Sequence, residues 1–149
     1  MRTKAYRTIT ILGLFFALAA ISAHAQVSGT VEAKVPFDFH AGETRLSAGT
    51  YSVTLISARV MRLRSADGQT NIVLQAPLTA AQQEGGSSAR LVFRRRGEQY
   101  FLAQVWPKAD YGRELYMSAQ EQSLSKELKL AKRSEAKPVK VEVAARAKR

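Results

Sequence analysis

Three observations predict a mainly β fold, a small antiparallel β-sandwich or barrel of about six or seven strands with one C-terminal helix. Apolar and polar residues alternate with period two through most of residues 31–106. Turn signals, among them Asp67-Gly68 and Gly97, recur at intervals usual for all-β domains. A helical pattern takes over only after Met117.

Residues 1–25 read as a signal peptide. Arg2, Lys4 and Arg7 form a basic start, Ile9 to Ile21 is an apolar run, and Ala23-His24-Ala25 supplies a small-residue cleavage site. The run is shorter than the roughly 20 apolar residues of a bilayer-spanning helix. The expectation is export, to a periplasm or beyond, of residues 26–149. No cysteine follows the run, so lipid attachment there is excluded.

Residues 26–117 are the expected β domain. Val31, Ala33, Val35, Phe37 and Phe39 alternate with polar residues as one strand, placed at an edge or interrupted at Pro36, which donates no backbone hydrogen bond. Gly42 and Gly49 bracket a turn region around Leu46. Thr50–Ser57 forms the next strand, with Tyr51, Val53 and Leu55 on one face. In the strand Arg59–Ser65, Val60, Arg62 and Arg64 oppose Met61 and Leu63. Asp67-Gly68 then turns the chain into a return strand over Gln69–Ala76. Residues 77–89 hold Gln82, Gln83, Gly85, Gly86, Ser87 and Ser88 and read as a flexible loop. Arg90–Arg95 and Gln99–Trp106 form a hairpin around Gly97. Phe101, Ala103 and Val105 are expected on one face of its second strand, with Tyr100, Leu102, Gln104 and Trp106 on the other. Both faces are largely apolar, which suits a central strand.

Residues 107–113 read as a loop and 118–133 as an amphipathic helix. Ser118 and Glu121 have capping-box spacing, each side chain able to satisfy an orphan backbone N–H. Met117, Leu124, Leu128 and Ala131 lie near one stripe, and late Lys126, Lys129, Lys132 and Arg133 suit the negative helix end. Packing of that stripe on the sheet is the expectation, with a partner groove or membrane surface as the alternative. Residues 134–149 form a basic, disordered tail in this reading, although Val139, Val141 and Val143 alternate as a strand would.

The 149 residues carry 23 Lys and Arg against 12 Asp and Glu, a formal charge of +11. Such an excess points to an anionic partner. Its distribution narrows the inference: residues 126–149 hold nine basic and three acidic residues, whereas residues 26–125 hold eleven and nine. The chain has no cysteine, which excludes a disulfide framework, a thiol nucleophile and a cysteine-based metal site.

Leu46-Ser47-Ala48-Gly49-Thr50-Tyr51-Ser52-Val53 resembles the L-x-x-G-x-Y-x-V stretch of immunoglobulin-like and prealbumin-like sandwiches. There a tyrosine near a strand start bonds back to the preceding backbone. The domain as a whole resembles a group of small exported proteins of Gram-negative environmental bacteria. The matching points are Val35-Pro36-Phe37-Asp38-Phe39, Gly42, Leu46 to Tyr51, Leu91-Val92-Phe93, Tyr100-Phe101-Leu102, Val105-Trp106, Gly112-Arg113-Glu114-Leu115, Ser118 and Glu121. Many members of the group have L-P-A-G where this chain has Ser47. The resemblance implies an exported β fold and no particular activity.

No catalytic or metal constellation and no cofactor site is identifiable from these residues. His40 is the one histidine after residue 25 and reads as a solvated turn residue. No G-x-S-x-G elbow occurs; Ser123-Leu124-Ser125-Lys126 has S-x-x-K spacing, but its serine and lysine read as helix surface. Asp38, Glu98, Asp110 and Glu114 are the near-loop carboxylates, with no spacing that pairs two of them. Arg62 and Arg64 share one strand face and Arg94 and Arg96 share another. If those faces coincide, four guanidinium groups form a basic stripe suited to phosphate or carboxylate. The competing reading is a wet sheet face on which they pair with Glu32, Glu98 or Glu114.

The expected function is that of a non-enzymatic exported binding or interaction module, its basic tail attracted to an anionic envelope polymer, a lipid or another protein. The alternative is a small envelope hydrolase built on loop carboxylates such as Asp110 and Glu114. Nucleic acid is disfavoured by export and by aromatic residues in core-like alternation.

Overall fold

The computed structural model describes residues 29–80, 88–108, 111–131 and 137–148. The expected signal peptide and most of the loop at 77–89 lie outside them. Among the described residues the chain forms twelve strands in two open sheets and one helix near the C-terminus. The fold is therefore mainly β as expected, and its unclosed sheets make it a sandwich rather than a barrel.

Sheet A runs β12-β1-β4-β5-β6. Its strands are β1 Thr30–Val35, β4 Gly49–Ser57, β5 Val60–Ser65, β6 Asn71–Gln75 and β12 Arg146–Lys148. Sheet B runs β11-β8-β9-β10-β7, with β2 pairing parallel to β9 at Phe101, beyond the residues that β10 covers, and β3 pairing with β2. It contains β2 Phe39–Ala41, β3 Thr44–Leu46, β7 Leu78–Ala80, β8 Arg90–Arg96, β9 Gln99–Trp106, β10 Tyr111–Glu114 and β11 Val139–Ala144.

Alternation decides which side chains meet between the sheets. Val31, Ala33, Val35, Tyr51, Val53, Leu55, Met61, Leu63 and Leu74 face inward from sheet A and are buried. Leu91, Phe93, Leu102, Val105 and Leu115 meet them from sheet B. Phe39 lies between the layers, edge-on to Tyr51 at 5.1 Å and to Phe93 at 5.3 Å. The Tyr51 hydroxyl donates to the Ser47 carbonyl at 2.7 Å, the back-bond that the resemblance to sandwich folds implies. The Asp67-Gly68 turn forms as expected, with Gly68 at φ 76°, a conformation disfavoured by a Cβ.

Besides Ser47-Ala48, which links β3 to β4, three short connections carry the chain from one sheet to the other. The expected single strand over 31–39 breaks at Pro36-Phe37-Asp38, sending β1 to sheet A and β2 to sheet B. Phe37 leaves the alternation and stacks on Tyr100 at 4.0 Å. Ala76-Pro77 is the second crossing, from β6 to β7. Proline suits both places because a missing N–H is harmless where the ladder ends. Ala145 is the third, between β11 and β12, and its N–H donates to the Ala89 carbonyl at 3.0 Å.

That third crossing corrects the expectation of a disordered tail. Val139–Ala144 pairs antiparallel with β8 along six residues, and Arg146–Lys148 pairs with β1. Val141, Val143 and Ala145 are partly buried against the core, and the pairing satisfies the backbone groups that two edge strands would otherwise leave open. The loop expected over 107–113 likewise ends in β10, which pairs with β9 and β7.

A register shift between Val92 and Phe93 corrects the expected faces of β9. Leu91 pairs with Val105 but Phe93 pairs with Leu102, so β9 carries an extra residue. Val105 thereby shares the inner face with Leu102, while Phe101 and Trp106 face outward.

Helix α1 spans Ala119–Leu130, shorter than the expected 118–133, of which residues 132 and 133 lie outside the described chain. Ser118 caps it, accepting from the Glu121 N–H at 3.1 Å. No helix among the described residues is long and apolar enough to cross a membrane.

Candidate polyanion-binding face

The four arginines expected to form one stripe are divided between two sheets. Arg62 and Arg64 stand on the outer face of sheet A and are exposed. Arg94 and Arg96 stand on the outer face of sheet B, beneath α1, with side chains 14% and 7% exposed.

Glu121 explains the second pair. Its carboxylate accepts from Arg94 Nε at 2.8 Å, Arg94 Nη2 at 3.0 Å and Arg96 Nε at 3.0 Å, and the residue is only 1% exposed. The reciprocal capping bond expected of this carboxylate is replaced by these ion pairs. In a nearly dry setting, charge-assisted bonds to two guanidiniums outweigh one to a neutral amide. The buried stripe of the helix is accordingly Glu121, Ser125 and Leu128, with Leu124 half-buried and Ala131 exposed. Arg94 and Arg96 serve as counter-ions to Glu121 within the fold.

Other side chains of the outer face of sheet B are also held in contacts within the fold, although His40 Nδ1 is buried without a hydrogen-bond partner. The Arg90 guanidinium lies 4.8 Å from the centre of the Trp106 ring and Arg90 Nε is 3.6 Å from Glu142. Gly112 packs against the same ring so closely that a Cβ would come within 2.6 Å of it. His40, expected as a solvated turn residue, is 8% exposed and stacks on Phe101 at 5.0 Å. Its place in β2 beside β9 covers it, and burial together with the nearby Arg45 charge lowers its pKa, Glu43 opposing.

The outer face of sheet A has a different character. Register places Lys148, Thr30, Thr54, Arg62 and Val73 in one row across the strands. Arg146, Glu32, Ser52, Arg64 and Asn71 form the next, with Lys34 and Thr50 beyond. Five cations therefore share this face with one carboxylate, Glu32, which accepts from Lys148 Nζ at 3.0 Å. Among the described residues neither Arg62 nor Arg64 has a carboxylate within ion-pair distance. Hydroxyls of Thr30, Thr50, Ser52 and Thr54 lie between the charges. The surface is a hydrogen-bonding, electropositive sheet face with rows spaced roughly 7 Å along the strands.

Lys34, Arg146 and Lys148 were not singled out from the sequence as site residues. Lys34 belonged to the outward set of its strand, and the alternation Arg146-Ala147-Lys148 was the available signal for the other two. Both signals needed the pairing of β12 with β1 to acquire meaning.

The carboxylates considered for acid–base chemistry are dispersed. Asp38 accepts from the Ala48 N–H at 3.0 Å and from Arg45 at 3.3 Å. Glu98 sits in the β8–β9 turn, and exposed Glu114 on β10 accepts from the Thr79 hydroxyl at 3.3 Å. Asp110 lies outside the described residues. Among those described, no group of three or more His, Cys, Asp or Glu is placed to hold a metal. Comparison of the chain with protein-family models, with curated proteins and with solved structures finds no match.

Proposed function

We propose that this is an exported, non-enzymatic β-sandwich module that binds a linear anionic polymer of the cell envelope across the outer face of sheet A. The observation that carries the reading is the five-to-one excess of Lys34, Arg62, Arg64, Arg146 and Lys148 over Glu32 on one sheet face. Arginines free of internal counter-ions present their forks to carboxylate or phosphate, and neighbouring hydroxyls supply neutral hydrogen bonds. The charged rows hold no aromatic side chain and one large apolar residue, Val73, with Ile56 and Val60 at the far end of the face, so a hydrated polymer suits it better than insertion among lipid chains. Export rests on the basic start, apolar run and Ala-x-Ala site of residues 1–25.

The test is retention of residues 26–149 on immobilised polygalacturonate. Retention is expected at about 0.05 M salt and lost near 0.3 M, as screening shortens the reach of surface charges. Replacing Arg62 and Arg64 together by Gln should weaken binding about tenfold or more, at roughly 1 kcal/mol per charge near an anionic surface. Unchanged retention of that double variant would contradict the reading.

A further inference from the structure

At the edge of the sandwich opposite β11 and β12, the two sheets part into a cleft of about 570 Å³. Its walls are Ala58 and Arg59 of the β4–β5 turn, Gln75 at the end of β6, Pro77 and Leu78 after the crossing, Arg113 of β10, and Tyr116. Arg113 pairs in register with Val105 and Leu78, which puts its side chain on the inner face of sheet B. From there it reaches across to sheet A, where Nη1 donates to the Ala58 carbonyl.

The guanidinium is only partly satisfied by that bond. Arg113 is 8% exposed, its Nε is buried without an acceptor, and no carboxylate among the described residues pairs with it. A nearly buried cation served by one neutral carbonyl is costly unless something else supplies negative charge. The second basic group of the cleft, Arg59, is exposed, with no carboxylate among the described residues within ion-pair distance. Beside these cations lie two large side chains that the core leaves in water, Leu78 at 62% and Tyr116 at 70% exposed. Cationic and apolar surface are thus adjoined in one recess of ligand-binding size.

We propose that this cleft binds a small anionic amphiphile, a molecule with one carboxylate or phosphate head and a short apolar tail. The head completes the hydrogen bonding of Arg113 with help from Arg59, and the tail covers Leu78 and Tyr116. The site is separate from the outer face of sheet A, so it stands or falls independently of polymer binding.

Calorimetric titration of residues 26–149 tests it with octanoate and octyl phosphate as probes, and with octanol and acetate as controls that lack the charge or the tail. Saturable one-to-one binding of either anionic probe, at least tenfold tighter than both controls, is the expected result. The head group is identified by which of the two binds. Arg113→Met should abolish that binding. Because it also removes the bond to Ala58, the exposed-residue variants Arg59→Gln and Tyr116→Ala are measured too, each expected to weaken binding several-fold with an unchanged melting temperature. Absence of binding by both anionic probes would overturn the proposal, as would equal binding of octanol, or unaltered affinity in the Arg59 and Tyr116 variants.

Discussion

Glu121 holds α1 to the outer face of sheet B through a contact that is electrostatic at its centre. Removing one partner from a buried ion pair leaves the remaining charge without compensation, which costs several kcal/mol. Glu121→Gln is therefore expected to lower stability by about 3 kcal/mol in chemical denaturation. A loss below about 0.5 kcal/mol would mean that Arg94 and Arg96 find other partners at little cost. His40 gives a pH signature on the same face. Burial and the nearby Arg45 charge depress its folded pKa below the ordinary value of 6.5, with Glu43 as the opposing charge and Phe101 as the stacked neighbour. Above pH 6.5 both states are neutral at this residue. As pH falls from there toward the folded pKa, the unfolded chain takes up a proton that the folded chain does not, so stability declines. His40→Gln should flatten this part of the profile between about pH 7 and pH 5, measured by denaturation at each pH. Neither role was legible locally. The turn at Gly42 made His40 look wet, and capping spacing at Ser118 hid the guanidiniums that claim Glu121 from a distant strand.

The elements divide into those that carry their own pattern and those that exist only by pairing. β1, β4 and β5 were readable because each buries alternate residues, and β8 and β9 because both are long, apolar and joined by a turn at Gly97. β7 and β10 span three and four residues, too few for a period to register. The β9 faces were misread because a bulge resets the phase, and no single residue announces it. The C-terminal strands are the strongest case of structure made by backbone pairing. β11 and β12 are largely exposed, yet they close the edges of β8 and β1. Ending the chain after residue 136 should lower the melting temperature and promote self-association through the uncovered edges. Thermal denaturation and light scattering check this. A truncated chain that stays monomeric and melts unchanged would show that the two edges need no cover.

At the scale of the whole molecule the two outer faces of the sandwich are electrostatic opposites in use. On sheet B, Arg90, Arg94 and Arg96 are drawn into contacts with Trp106, Glu142 and Glu121. On sheet A, Arg62 and Arg64 face solvent beside cations contributed from both ends of the described chain. The net charge in the sequence announced an anionic partner and located it in the tail. Folding changes that location, because the tail is the edge strand that extends a basic sheet. Half of the expected arginine stripe survives, joined by Lys34, Arg146 and Lys148. The outcome depended on which strands share a sheet, which spacing alone does not specify. The central claim is that polyanion binding occurs on this face. It is tested most directly by titrating polygalacturonate into isotopically labelled residues 26–149 and mapping the amide shifts by nuclear magnetic resonance. The account predicts shifts concentrated on β1, β4, β5 and β12, disappearing at about 0.3 M salt. Shifts confined to the outer face of sheet B, or none at low salt, would contradict it.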